Sequence, residues 1–130
     1  MVIARCESLV TGAGEDDAIA RCRAYLDAGA DGILIHSKNE TPAEVLSFAK
    51  RFRAAVSADK PLVVMPTTYP QITESELAAV GINIVIYANH LLRAAYPAMR
   101  NCAERILECD RAQEADGELC PPIEEVVEWI

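Results

Sequence analysis

Positive charge is scarce in this chain: 12 Lys and Arg stand against 20 Asp and Glu over 130 residues, a formal net charge of −8. With a pI near 4.7, the sequence lacks the basic footprint that nucleic-acid phosphates require, and no nucleic-acid partner is expected. Long apolar runs are missing too. None approaches the ~20 residues that span a bilayer, so no membrane role is expected. The five cysteines, Cys6, Cys22, Cys102, Cys109 and Cys120, are odd in number and show no Cys-x-x-Cys spacing. That argues against a disulfide scaffold or a zinc knuckle and fits a reducing, cytoplasmic setting. No Gly-rich phosphate loop follows any apolar run, which lowers the dinucleotide and P-loop options. What is present, 52% hydrophobic and 25% charged residues, is the composition of a folded domain with a modest core.

The order along the chain is an alternation of short apolar runs and amphipathic stretches. Val2–Ser8 begins as a strand, and Gly12 and Gly14 break it. Glu15, Asp16 and Asp17 place acid where a helix N-terminus welcomes it. Ile19, Cys22, Tyr25 and Leu26 recur at helical intervals, and Gly29 reads as the residue just past the helix end. Gly32–Ser37 is a second strand. Thr41, Pro42 and Glu44 read as N-cap, first-turn proline and capping-box acid of the next helix, with Val45, Phe48, Ala49 and Phe52 on its buried face. Pro61–Thr68 forms a third strand, Thr73–Glu76 caps a short helix closed by Gly81, and Ile82–Asn89 forms a fourth strand. A long helix is expected from His90 to Cys109, a linker over Asp110–Glu118, and a short terminal helix over Pro122–Ile130.

Strands that are nearly continuous in apolar residues are covered on both faces, the habit of parallel sheets built from β-α-β units. Polar residues gather at the strand C-termini: Arg5 and Glu7, His36 and Ser37, Thr67 and Thr68, Asn89 and His90. In open α/β sheets and (β/α)₈ barrels alike, that end carries the site. Four such units fit a small doubly wound sheet or half of a barrel, whose usual length is ~250 residues. Because Val2 is already strand-like, the expectation is that further sequence precedes it.

Four segments are specific enough to compare. Ile3-Ala4-Arg5-Cys6-Glu7-Ser8, Ala28–Lys38, Met65-Pro66-Thr67-Thr68-Tyr69-Pro70 and Val85–Ala94 together resemble the phosphoenolpyruvate mutase family of the isocitrate lyase superfamily. The likeness runs in the family's order and covers its second half only. It implies an α/β chain of parallel (β/α) units forming strands five to eight of a (β/α)₈ barrel over residues 1–109. Residues 110–130 would then be a C-terminal linker and short helix, exchanged between protomers in an oligomer.

The resemblance also implies a chemistry. Arg5 matches the family arginine that contacts the phosphoryl or phosphonyl group. His36 matches a histidine lining the same site, where isocitrate and methylisocitrate lyases carry glutamate. Arg5 and His36 are therefore the candidate catalytic and substrate-binding residues, with Glu7, Ser37, Thr67 and Asn89 as supporting candidates. A guanidinium suits such an oxyanion because it presents a fixed fork of donors that lysine lacks. The implied parent enzyme is an isomerase interconverting phosphoenolpyruvate and phosphonopyruvate in phosphonate biosynthesis. Phosphonopyruvate hydrolysis is the alternative, and a non-catalytic half-barrel assembly module a further one. Mg²⁺ is implied for the parent, its ligands lying on strands outside this segment, so no complete metal site and no activity are expected of the isolated chain. Homo-oligomerisation, or pairing with an N-terminal half, is expected from the open strand edges of half a barrel. The cysteines read as small buried filler.

Overall fold

A computed structural model describes residues 1–128, and two compact units divide it, Met1–Ala88 and Asn89–Ile130. The division falls ahead of the long helix, whereas the sequence reading sets its boundary at residues 109 and 110.

The first unit runs β1 (Ile3–Cys6), α1 (Ser8–Thr11), α2 (Gly14–Asp27), β2 (Gly32–Ile35), α3 (Ala43–Ala55), β3 (Leu62–Val64), α4 (Glu74–Ala79) and β4 (Ile84–Val85). All strand pairs are parallel, and the sheet order β1-β2-β3-β4 follows the chain. Arg5 lies opposite Leu34, Leu34 opposite Val63, and Val64 opposite Val85. Every strand C-terminus therefore points the same way.

The strands are shorter than their apolar runs, because a run is a strand only where a neighbour completes the ladder. β2 is buried at all four positions, as a covered parallel strand should be. β4 is different. Ile84 and Ile86 stay more than a third exposed, so the fourth run is an edge that this unit leaves uncovered on one side.

The core packs Phe48, Phe52 and Val45 of α3 against Ile33, Ile35, Leu62 and Val64 of the sheet, with Leu77, Cys6 and Cys22 closing it. The Phe48 and Phe52 rings stack at 5.8 Å between centroids. Tyr69, after β3, is fully buried, and burial pushes its phenol up to about 12. At the other end of the sheet, Arg53 spreads over Phe52 and donates to the carbonyls of Ser57, Lys60 and Gly81 and to Asn83 Oδ1. Asn83 Oδ1 in turn accepts from Leu62 N.

Local signals were mostly met. Gly29 is left-handed (φ 101°) directly after α2, as a residue closing a helix should be. Thr73 and Glu76 form a full capping box on α4. The expected capping box at Thr41 and Glu44 is not formed. Pro42 takes the N-cap position of α3 without a side-chain cap bond, and Glu44 turns back to Ser37 and Asn39.

The second unit holds α5 (His90–Cys109), α6 (Gln113–Glu118) and α7 (Ile123–Glu128). The expected linker over Asp110–Glu118 is thus helical over its last six residues. Asp110, left-handed at φ 53°, turns the chain, and Arg105 grips Glu118 with two guanidinium bonds that fix α6 to α5. Pro97 sits inside α5. Trp129 and Ile130, the end of the expected terminal helix, lie outside the described residues. Of the cysteines, Cys6 and Cys22 are buried filler as read. Cys102 and Cys109 are partly exposed, because α5 has no buried residue, and Cys120, after α6, is partly exposed too.

Candidate active site

β1 ends at Cys6 and the chain turns at once into α1, so Arg5 and Glu7 flank the last strand residue on the same side, two residues apart. β2 lies beside β1 with Cys6 opposite Ile35, and His36 follows immediately, its amide donating to the Cys6 carbonyl. The parallel register therefore brings position 36 alongside positions 5 and 7. Arg5 Nε donates to Glu7 Oε1 in an ion pair, and Arg5 Nη2 stands 2.6 Å from His36 Nδ1. Glu7 Oε1 is 4.0 Å from that same nitrogen.

This contact fixes the histidine's chemistry. A guanidinium has donors only, so Nδ1 must accept, and the ring proton must be on Nε2. The imidazole is held neutral. Its pKa is lowered from the ordinary value, first by burial, then by the Arg5 charge, with Glu7 opposing. The His36 side chain is 21% exposed, while Arg5 and Glu7 are nearly half exposed. The result is a neutral imidazole whose one N–H donor is at Nε2, beside a cation that keeps spare N–H groups.

A cavity of about 250 Å³ adjoins Arg5 and Glu7, lined also by Ser8, Thr11, Arg21 and Tyr25 but not by His36. On its wall, Ser8 and Arg21 both donate to Asp17 Oδ2 at 2.7 Å. Those two bonds hold the Asp17 carboxyl below its usual range. A hollow of about 960 Å³ in the second unit, lined by Asp116, Glu124, Pro121 and Pro122 among others, has no cation to receive an anion.

Of the supporting candidates, Glu7 joins Arg5 and His36 directly. Ser37 is fully buried, and its hydroxyl is turned away from Arg5 to donate to Glu44 Oε2 at 2.6 Å. Thr67 follows β3 in a tight turn, its amide bonded to Met65 O. Asn89 belongs to the second unit, just before α5. Sequence reasoning missed Glu44 and Thr68, which hold the loop behind His36. Glu44 accepts from both Ser37 and Asn39, and Thr68 Oγ1 donates to Ser37 O at 3.1 Å. The clue to Glu44 was there, but a Thr-Pro-x-Glu string reads more readily as a helix cap.

Among the described residues no group of three or more His, Cys, Asp or Glu is placed to hold a metal ion. The carboxylates nearest Arg5 and His36 are spoken for, Glu7 by Arg5 and Asp17 by Ser8 and Arg21. The residues present here do not fit a complete Mg²⁺ site.

Parallel β-α units with an arginine, an acid and a histidine gathered at the strand C-termini have the arrangement of the site-bearing end of (β/α) barrels. The family model described as Phosphoenolpyruvate phosphomutase matches residues 1–107, and the chain belongs to that family. It is 46% identical over 129 residues to a phosphonopyruvate hydrolase of Variovorax sp. (strain Pal2), covering 98% of this chain and 43% of that protein. A crystal structure of a phosphoenolpyruvate phosphomutase from Streptomyces platensis subsp. rosaceus superimposes with a TM-score of 0.83 at 41% identity, over 98% of this chain and 43% of the other. A phosphonopyruvate hydrolase solved with oxalate and Mg²⁺ gives 0.80 at 44% identity, over 98% and 44% of the two chains. The chain thus spans less than half the length of the relatives it matches, and its four parallel strands are half of a barrel.

Proposed function

We propose that this chain supplies the phosphorus-gripping, C-terminal half of an enzyme that makes or breaks the P–C bond of phosphonopyruvate. Arg5 binds the phosphoryl oxygens through the guanidinium N–H groups that Glu7 and His36 leave free. His36 donates from Nε2 to the same oxyanion or to the enolate oxygen, while its Nδ1 is held by Arg5. Glu7 positions the guanidinium and offsets part of its charge. The single observation that carries this reading is the Arg5–His36 contact of 2.6 Å at the strand ends. Charge spreads over the phosphorus oxygens as the bond shifts, so preorganised donors aimed there provide most of the help the protein can give.

Isomerisation to phosphoenolpyruvate is the first reading, supported by the family match. Hydrolysis to pyruvate and phosphate is the second, favoured by the identity to the Variovorax enzyme. Mg²⁺ accompanies oxalate in the solved hydrolase. In the proposed enzyme its ligands would come from sequence beyond these residues, and it would supply neutralisation of the substrate's negative charge.

The test grafts residues 1–130 onto the N-terminal half of the Variovorax hydrolase and follows phosphonopyruvate with Mg²⁺ by phosphorus NMR. A phosphate-ester signal from phosphoenolpyruvate supports isomerisation. Inorganic phosphate supports hydrolysis. A folded chimera that consumes no phosphonopyruvate sinks both.

A further inference from the structure

Cys102 lies on α5, and Cys120 lies 18 residues later, between α6 and α7. Their sulfurs are 3.7 Å apart, in a thiol–thiol hydrogen bond and without a disulfide. Neither is sealed in the core. Both line one open groove with Met99, Ile106, Leu119 and Pro121, so a small oxidant can reach them. The chain around Cys120 is also constrained. Pro121 restricts the backbone of the residue before it, and the Arg105–Glu118 pair fixes the end of α6 two residues upstream. A disulfide needs a bond of about 2 Å, so closing it asks for less than 2 Å of sulfur travel. That lies within the reach of a rotamer change at a residue outside any helix.

We propose that Cys102 and Cys120 are a redox-reversible pair, forming a disulfide that clasps the C-terminal segment to α5. The reaction is exchange with a small-molecule disulfide such as glutathione disulfide. One cysteine thiolate attacks a sulfur of the oxidant, forming a mixed disulfide and expelling one glutathione thiolate. The second protein thiolate attacks the protein sulfur of that mixed disulfide and expels the other. One disulfide is reduced and one formed. The two protons leave with the two glutathione thiols. Thiol reductants reverse it. The clasp is independent of the phosphonate reading, since it uses no residue of that site.

The test incubates the full chain with glutathione disulfide, blocks free thiols, and digests with trypsin. Cleavage at Arg100, Arg105 and Arg111 separates peptide 101–105, holding Cys102, from peptide 112–130, holding Cys120. The expected product is these two peptides joined, released by dithiothreitol, and unchanged in Cys109→Ser. Cys102→Ala and Cys120→Ser should each abolish it. Oxidation should also slow amide exchange across α6 by about tenfold. The proposal is overturned if Cys109 or a second chain takes the bridge, or if only separate glutathione adducts form. It is equally overturned if the buried Cys6 and Cys22 react at the same rate, since the bridge would then belong to an unfolded chain.

Discussion

In the proposed site Arg5 holds both an acid and an imidazole while keeping N–H groups for a substrate, and only a forked cation can do all three. Arg5→Lys keeps the charge and loses the geometry. In the grafted enzyme kcat/KM for phosphonopyruvate should fall about 10²-fold or more, measured by initial rates. A near-normal value would remove Arg5 from the substrate's contacts. His36 makes a second, independent statement. Its folded pKa lies below the ordinary value of 6.5, so the unfolded chain binds the proton more readily in that interval. The stability this group contributes is present above pH 6.5 and is lost as the pH falls through the interval. Urea midpoints taken between pH 7.5 and 5.5 should therefore drop more for the wild type than for His36→Gln. Equal drops would show that the imidazole is not held neutral. Arg5 and His36 were legible because strand-end position and family motif coincide there. Glu44 was not, because its Thr-Pro-x-Glu string reads as a helix cap while its actual partner, Ser37, lies seven positions away.

At the scale of elements, two threonine-led strings met different fates. Thr73 has its extended backbone (ψ 156°) free to cap α4, and its hydroxyl accepts from Glu76 N. Thr41 lost its partner, since Glu44 found two side-chain donors in Ser37 and Asn39. Sequence spacing shows that a cap is possible, and competition among neighbours decides whether it forms. Thr73→Ala should cost about 1 kcal/mol in chemical denaturation, and Thr41→Ala close to nothing. Comparable losses would show a cap at both helices. Gly32 makes a sharper case. A Cβ there would meet Pro61 O at 2.7 Å and Ile3 Cδ1 at 2.8 Å, where β1 and the chain entering β3 close on the start of β2. Gly32→Ala should destabilise by about 1–3 kcal/mol, read from the same urea curves. No periodicity rule flags that glycine, because the crowding comes from chain 29 residues away on either side.

Across the whole molecule burial is uneven. The first unit holds the phenylalanine and β-strand core, whereas α5 and α7 bury no residue and α6 buries Ala115. Amide exchange should therefore be slowest in β2 and β3 and fast in α5 and α7, as mass spectrometry of exchanged peptides can read. Uniform protection would contradict the burial pattern. The parallel architecture was legible because apolar runs alternate with helical periods. The edge character of β4 was legible only through the likeness to half a barrel, since an edge strand and a central one share the same composition and differ only in neighbours. The reading of Asp110–Glu118 as linker failed for a related reason: a six-residue stretch with four polar residues makes a helix once Ala115 is buried and Arg105 and Glu118 anchor its end.

Because the four strands run side by side in chain order and all one way, polypeptide returning to the sheet, such as Ser57–Lys60, crosses at the rim opposite Arg5 and His36. Evolution or an engineer can lengthen or re-specify the crossings on the Arg5 side to change what is bound, and leave the returning segments to hold the scaffold together. A tag spliced at Asp59 tests the second half of that bargain rather than the first.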